Sequence, residues 1–174
     1  MSGIYHEKQE RMLCAKHALN NLLQRSVFTA EDLDSIGRQL SPANWLNQHK
    51  TPFLGNYDIN VVMKALQDMS YTVSWFDKRL NPADQNFEEI FGFILNIPTA
   101  ISVAFVNLWN GKHWVALRKI NGVWYNLDSK LQEPRAIGTD QDVRKFLQDV
   151  LQKDGTNLFV VKPENPGVSD QPPS

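Results

Sequence analysis

The segment from Lys112 to Lys130, KHWVALRKINGVWYNLDSK, constrains the fold of this chain more than any other. It contains two runs rich in β-branched and aromatic residues, separated by the pair Asn121-Gly122. Asn-Gly is favoured in two-residue type I′ turns, because both central residues of that turn adopt positive φ. The segment therefore predicts a β-hairpin in which Leu117 faces Asn126 and Val115 faces Asp128.

Four helices are predicted from apolar spacing or from capping residues. The first follows Cys14, with the i, i+3, i+4, i+7 spacing of a half-buried helix at Ala15, Ala18, Leu19, Leu22 and Leu23. Thr29 with Asp32 predicts the start of a second helix, with Phe28 packing onto Leu33. Asp58 predicts a cap for the third, and Thr139 with Asp142 predicts one for a helix that ends before Gly155.

Further strands are predicted from short runs of β-branched and aromatic residues, YTVSWF at 71–76, AISVAFVN at 100–107 and NLFVVK at 157–162. The periodicity of residues 86–97 allows a helix, which Gly92 disfavours, so its structure stays open. The proline-interrupted stretch from Ser41 to Tyr57 predicts a long connection or an arm. This order of elements indicates an α+β domain in which a helical half packs on an antiparallel sheet.

The length of 174 residues fits one domain, which we place at residues 1–161. Residues 162–174 contain several prolines and predict a disordered tail. The N-terminus lacks the apolar core of a signal peptide, and no apolar run is long enough for a membrane span. We therefore expect a cytoplasmic monomer with no integral membrane association.

Charge and metal-ligand spacing exclude two classes of function. The net charge is −1, with no basic block that could neutralise a row of phosphates, so nucleic acid is not an expected partner. One cysteine and four scattered histidines lack the spacing of a zinc site. No metal or other cofactor is expected.

The single cysteine, Cys14, lies where a polar stretch meets the first helix, on the edge of the apolar stripe. The positive end of a helix dipole favours the thiolate form of a cysteine at that position. Unpaired cysteine is nevertheless among the most buried residue types, so a structural role is the simpler interpretation of Cys14 alone. His17, on the polar flank of the same helix, is predicted to be solvated or to act as a cap.

The predicted hairpin brings a histidine and an aspartate together. His113 projects from the same face as Val115, so His113 and Asp128 are diagonal neighbours about 7 to 8 Å apart at the backbone. An imidazole and a carboxylate can close that gap, and the register favours Asp128 over Asn126 as the group that orients the histidine. A three-residue turn would shift this register. Gln9, five residues before Cys14, is a candidate donor to an oxyanion, together with the Cys14 backbone N–H.

The motifs IYHEKQERMLCAKHALNNLLQ and HWVALRKINGVWYNLDS, in this order and at this separation, resemble the Josephin family over about residues 4 to 161. That resemblance implies a papain-like cysteine protease fold and thiol-dependent deubiquitinase activity. It implies Cys14 as the nucleophile, His113 as the general base, Asp128 as the third member of the triad and Gln9 as the oxyanion-hole glutamine. The family has asparagine or aspartate at the third position.

The resemblance also implies ubiquitin and ubiquitin conjugates as partners, with the (iso)peptide bond at the ubiquitin C-terminus as substrate. Ile59 and Phe28 match family positions that contact ubiquitin, although each can equally be a packing residue. Two alternatives stay open. One is a weakly active or inactive ubiquitin-binding module, and the other is a papain-like peptidase or acyltransferase with a different substrate.

Overall fold

A computed structural model describes residues 3–10, 13–40, 50–51, 56–103 and 106–165. In these ranges the helices are α1 (Cys14–Leu23), α2 (Ala30–Leu40), α3 (Ile59–Asp68) and α4 (Asp140–Leu151). The strands are β1 (Lys50–Thr51), β2 (Asn56–Tyr57), β3 (Tyr71–Trp75), β4 (Gly92–Val103), β5 (Val106–Ile120), β6 (Val123–Asn126), β7 (Arg135–Gly138) and β8 (Asn157–Pro163). Short 3-10 helices lie at Pro82–Asp84 and Phe87–Glu89.

Six strands form one antiparallel sheet in the order β3-β8-β4-β5-β6-β7. Strands β1 and β2 form a separate two-residue ladder. The predicted α+β class is confirmed. Strand β7 was not anticipated, because RAIG has no alternation that marks it as a strand.

The hairpin between β5 and β6 has the predicted turn and register. Asn121 and Gly122 have φ values of 50° and 82°, as a type I′ turn requires, and Leu117 pairs with Asn126. The ladder ends at Asn126, and the Leu127 backbone N–H then donates to the Ala116 carbonyl at 2.9 Å. Asp128 therefore emerges directly beyond the end of a paired strand.

Both faces of the central sheet are covered. Trp114 and Ala116 of β5 pack in a core with α1, α2 and α3, whereas the alternating Val115 and Leu117 pack in a second core with α4. Because β5 is buried on both faces here, its apolar residues form a continuous run rather than an alternating one. This arrangement packs α1, which begins at Cys14, against β5, the strand that carries His113.

The predicted helix caps are present. The Thr29 hydroxyl accepts from the Asp32 N–H, and the Asp58 carboxylate accepts from the first turn of α3. Thr139 and Asp142 form a reciprocal capping box at α4. The N-terminus of α1 differs, since its N-cap residue Leu13 provides no side-chain hydrogen bond.

The structure decides two segments. Residues 86–97, whose structure the periodicity left open, form a 3-10 turn and then the start of β4. A side chain at Gly92 would collide with Leu22 and with the Leu117 carbonyl oxygen, so the close approach there requires glycine. The single strand predicted at 100–107 is wrong, because its described residues belong to two strands, with Val103 of β4 paired to Val106 of β5.

The predicted tail and the predicted arm lie partly outside the described residues. Strand β8 continues to Pro163, so the first two residues assigned to the tail belong to the sheet, and Pro163 pairs with Tyr71. Residues 166–174 of the predicted tail are not described. Most of the predicted arm, 41–49 and 52–55, is likewise outside the described ranges, apart from the short β1-β2 ladder.

Candidate active site

Cys14 is the first residue of α1 and its side chain is buried, with 5% exposure. The Sγ atom lies 4.0 Å from the carbonyl oxygen of Lys112, the residue before His113. Backbone N–H groups in the first turn of a helix have no acceptor within that helix, and they create a positive potential. The fold thus places the thiol in the first turn of α1, beside these N–H groups.

The predicted histidine and aspartate are brought together. The Nε2 atom of His113 lies 2.6 Å from the Oδ1 atom of Asp128, and the imidazole also hydrogen-bonds the Cys14 thiol. Since Nε2 is engaged by the carboxylate, Nδ1 is the nitrogen available to the sulfur. Thiol, imidazole and carboxylate therefore form one chain of hydrogen bonds, the arrangement that proton transfer from a thiol requires.

The charged forms of His113 and Asp128 stabilise each other. Burial alone would lower the pKa of His113, but hydrogen bonds and charge from Asp128 and Cys14 outweigh burial and raise it. Burial would raise the pKa of Asp128, yet the hydrogen bond with His113 and the Lys130 backbone N–H lower it. The site therefore favours an imidazolium beside an ionised carboxylate.

Asp128 is held by neighbouring backbone and side-chain groups. Its Oδ1 accepts from the Lys130 N–H at 2.9 Å, and its own N–H donates to the Asn126 Oδ1 at 3.0 Å. The His6 ring is bonded to the Asp128 carbonyl at 3.0 Å. Asn126 is thus a neighbour that orients Asp128 rather than the direct partner of His113.

Gln9 is bonded to the residue that directly follows Asp128. Its backbone N–H donates to the carbonyl of Ser129 at 2.7 Å, although 120 positions separate the two residues in the chain. Next to it is a cleft of about 420 Å³, lined by Lys8, Gln9, Ser129, Lys130, Leu131 and Gln132. The predicted oxyanion donor therefore borders an open cleft next to Asp128.

A buried polar cluster around His17 was not predicted from the sequence. His17 was predicted to be solvated or to act as a cap, but it is 2% exposed, and its Nδ1 lies 2.6 Å from the Glu7 Oε2. The His17 Nε2 accepts from the Glu10 N–H at 3.2 Å. Burial would raise the pKa of Glu7, but hydrogen bonds from His17, Tyr5, Asn20 and Lys16 lower it to about 2.

The two suggested ubiquitin-contact residues lie in or against the core. Phe28 is only 8% exposed and packs between α1 and α2, where its backbone is bonded to Asn20. Ile59 is partly buried against the same core. The location of Phe28 favours the packing role and leaves little of its surface for a partner.

Comparison with known proteins decides the family. The family model described as Josephin matches residues 9–162. The chain belongs to the Josephin family, a family of deubiquitinase-type cysteine proteases. The α+β Josephin fold expected from the sequence is thereby confirmed, with Cys14 on the helical half and His113 and Asp128 on the sheet side.

Individual Josephin relatives match most of this chain. A Josephin-like protein of Drosophila melanogaster is 47% identical over 173 residues, which cover 97% of this chain and 78% of the relative. Human Josephin-2 is 44% identical over 150 residues, 85% of this chain and 80% of the relative. Human ataxin-3 is 32% identical over 190 residues, and the match covers 95% of this chain and 47% of ataxin-3.

The described ranges of the chain also bear on membrane insertion and metal binding. Across those ranges, none of the helices combines the length and the apolar character that crossing a bilayer demands. In the same ranges, no group of three or more His, Cys, Asp and Glu side chains is arranged to hold a metal ion.

Proposed function

We propose that this Josephin domain hydrolyses the peptide or isopeptide bond at the C-terminus of ubiquitin through Cys14, His113 and Asp128. The observation that carries the proposal is the hydrogen-bonded chain from the Cys14 thiol through His113 to Asp128, with 2.6 Å between Nε2 and Oδ1. Membership of the Josephin family supports ubiquitin as the acyl group.

In the proposed reaction His113 takes the thiol proton and the Cys14 thiolate attacks the carbonyl carbon. The oxyanion accepts hydrogen bonds from the Cys14 backbone N–H and the Gln9 side-chain amide. The imidazolium then protonates the leaving amine, and a thioester between Cys14 and ubiquitin remains. Water attacks the thioester with His113 as base, which releases ubiquitin and regenerates the thiol.

Asp128 has two roles in this scheme. It accepts a hydrogen bond from the Nε2–H group, which keeps Nδ1 directed at the sulfur, and it stabilises the positive charge that His113 carries after proton transfer. The raised pKa of His113 and the lowered pKa of Asp128 are consistent with both roles.

The test is labelling by ubiquitin with a C-terminal propargylamide, followed by hydrolysis of ubiquitin aminomethylcoumarin. Wild-type protein should gain the mass of one ubiquitin and release the fluorophore, whereas Cys14→Ala should do neither. Labelling that persists in Cys14→Ala would refute the assignment of the nucleophile.

A titration of the same protein with ubiquitin separates the alternatives. Binding without labelling or turnover would favour a ubiquitin-binding module. Turnover of small peptide or acyl-thioester substrates alone would favour a hydrolase or acyltransferase of another specificity.

A further inference from the structure

The N-terminal segment is attached to α1 in the manner of a strand, although its partners are side chains. Tyr5 donates its N–H to the Gln24 Oε1 at 3.0 Å, and its carbonyl accepts from the Gln24 Nε2 at 3.1 Å. Glu7 exchanges the same pair of bonds with Asn21, at 2.5 Å and 3.2 Å. Alternate residues of the segment are thus clamped by carboxamides, and Gln9 follows two residues later.

Each carboxamide has one further bond. The Gln24 Nε2 donates to the Asn21 carbonyl at 2.7 Å, at the end of the same helix. The Asn21 Nδ2 donates to the carbonyl of Leu127 at 3.0 Å, directly before Asp128. Two carbonyls and one N–H surround the amide, so its oxygen and nitrogen can be assigned from the network. The residue is 0% exposed. It lies seven positions after Cys14, two helical turns further along the same side of α1.

We propose that Asn21 is a positioning residue that holds the segment bearing Gln9 and the strand end bearing Asp128 against the nucleophile helix. One carboxamide thereby connects the three chain segments that carry the nucleophile, the oxyanion donor and the carboxylate. The inference rests on the roles proposed above for Gln9 and Asp128, but not on ubiquitin as the substrate.

The segment that bears Gln9 depends on Asn21 more than Asp128 does. Asp128 keeps its bonds to His113, to the Lys130 N–H and to Asn126 when Asn21 is removed. Between Glu7 and Gln9, the backbone is bonded to Asn21 and, through the Gln9 N–H, to Ser129, whereas the bonds from His17 and Asn20 hold the Glu7 side chain. Loss of Asn21 should therefore displace the oxyanion donor while the thiol and imidazole stay paired.

Two small reagents separate displacement of the oxyanion donor from a change in the thiol–imidazole pair, and neither assay requires ubiquitin. p-Nitrophenyl acetate acetylates the Cys14 sulfur with loss of p-nitrophenolate, a reaction that passes through an oxyanion. Iodoacetamide alkylates the same sulfur with loss of iodide and forms no oxyanion. The ratio of the two rates at Cys14, measured by mass spectrometry, reports the oxyanion site separately from thiolate formation.

Three variants are compared with wild-type protein, each checked for a folded circular dichroism spectrum at the assay temperature. Asn21→Ala removes the whole clamp, and Asn21→Asp keeps its shape and the acceptor for Glu7 but loses the donors. Gln24→Gly is the matched control, because it removes the equivalent clamp on Tyr5. Glycine suits the left-handed backbone of residue 24, where φ is 56°.

For both Asn21 variants we expect acetylation to slow by about 30-fold or more, since a misplacement of 1 Å can cost about 100-fold. Alkylation should stay within about threefold, and Gln24→Gly should keep both rates within about threefold of wild type. Acetylation within threefold of wild type in either folded Asn21 variant would overturn the proposal. An equal loss in Gln24→Gly would do the same.

A measurement on wild-type protein covers the case in which neither Asn21 variant folds. The Glu7 amide hydrogen, as the donor to Asn21, should exchange with solvent at least about 100-fold more slowly than in an unstructured peptide. Exchange at the unstructured rate would contradict the clamp. If the Asn21 variants lose acetylation as expected but wild-type protein does not cleave ubiquitin substrates, only the substrate proposed above fails.

Discussion

The Nε2 atom of His113 lies 2.6 Å from the Oδ1 atom of Asp128, although fifteen positions separate the two residues in the chain. The β5-β6 ladder has already ended at Asn126, so backbone pairing alone does not hold Asp128 in place. The Lys130 N–H and the Asn126 side chain provide that restraint. The pair therefore depends on the strand end as much as on the hairpin.

Replacement of Asp128 by asparagine should change the pH dependence of the reaction. The carboxylate raises the pKa of His113, so Asp128→Asn should lower that pKa. The alkaline limb of kcat/KM, which reports loss of the imidazolium proton, should then move to lower pH. We expect only a small change in kcat at the pH optimum, because asparagine also occurs at this position in the family and can orient the imidazole.

Asp140→Asn is the matched control for that profile, because Asp140 also has a lowered pKa but is bonded to Lys119 and Trp124. Its alkaline limb should coincide with that of wild type. An unchanged limb in Asp128→Asn would contradict the role of Asp128.

Gln9→Ala should lower kcat with little change in KM, because an oxyanion donor acts mainly in the transition state. Loss of one such donor reduces kcat by about 10²- to 10³-fold in other hydrolases. Initial rates over a range of ubiquitin aminomethylcoumarin concentrations measure both constants. Gln67→Ala, an exposed glutamine on α3, should leave them unchanged. A rise in KM at constant kcat would assign Gln9 to binding instead.

Glu7→Gln should remove acid-sensitive stability. The pKa of Glu7 is about 2 in the folded protein and 4.5 for an ordinary glutamate, which corresponds to about 3 kcal/mol. Because the folded pKa is the lower one, this contribution is present above pH 4.5 and is lost as the pH falls through about 2. Urea unfolding at several pH values should show a flatter acid dependence for Glu7→Gln.

The exposed Glu10 lies in the same segment and provides the matched control. Glu10→Gln should keep the wild-type acid dependence. If Glu7→Gln and wild-type protein lost the same stability between pH 5 and pH 2, the hydrogen bonds to the Glu7 carboxylate would not be the cause.

Gly92→Ala should destabilise the fold through overpacking. A Cβ atom at this position would lie 2.5 Å from the Leu22 Cδ1 and 2.7 Å from the Leu117 carbonyl oxygen, and the backbone atom cannot rotate away. Such substitutions typically cost about 1 to 3 kcal/mol. Thermal denaturation should show a lower midpoint for Gly92→Ala and no change for Gly3→Ala, whose added methyl meets nothing within 4 Å.

Local residue patterns were sufficient to predict several elements of the fold. The Asn121-Gly122 turn determines the β5-β6 register, because positive φ at two successive residues suits only this kind of connection. Thr139 and Asp142 likewise mark the start of α4, since their capping bonds join residues three apart. From these local rules the proximity of His113 and Asp128 could be predicted before any coordinates.

Other features were decided by tertiary structure. Hydrophobic periodicity carries no information on buried polar groups, so it predicted a solvated or capping role for His17 and gave no sign that Asn21 is fully buried. The division of the predicted strand at 100–107 between β4 and β5 also escaped it, because the apolar residues form one continuous run with no turn residue between them. The Gln9 N–H donates to the carbonyl of Ser129, 120 residues away in sequence. Contacts of that range arise when the helical half and the sheet pack together, and no local pattern specifies them.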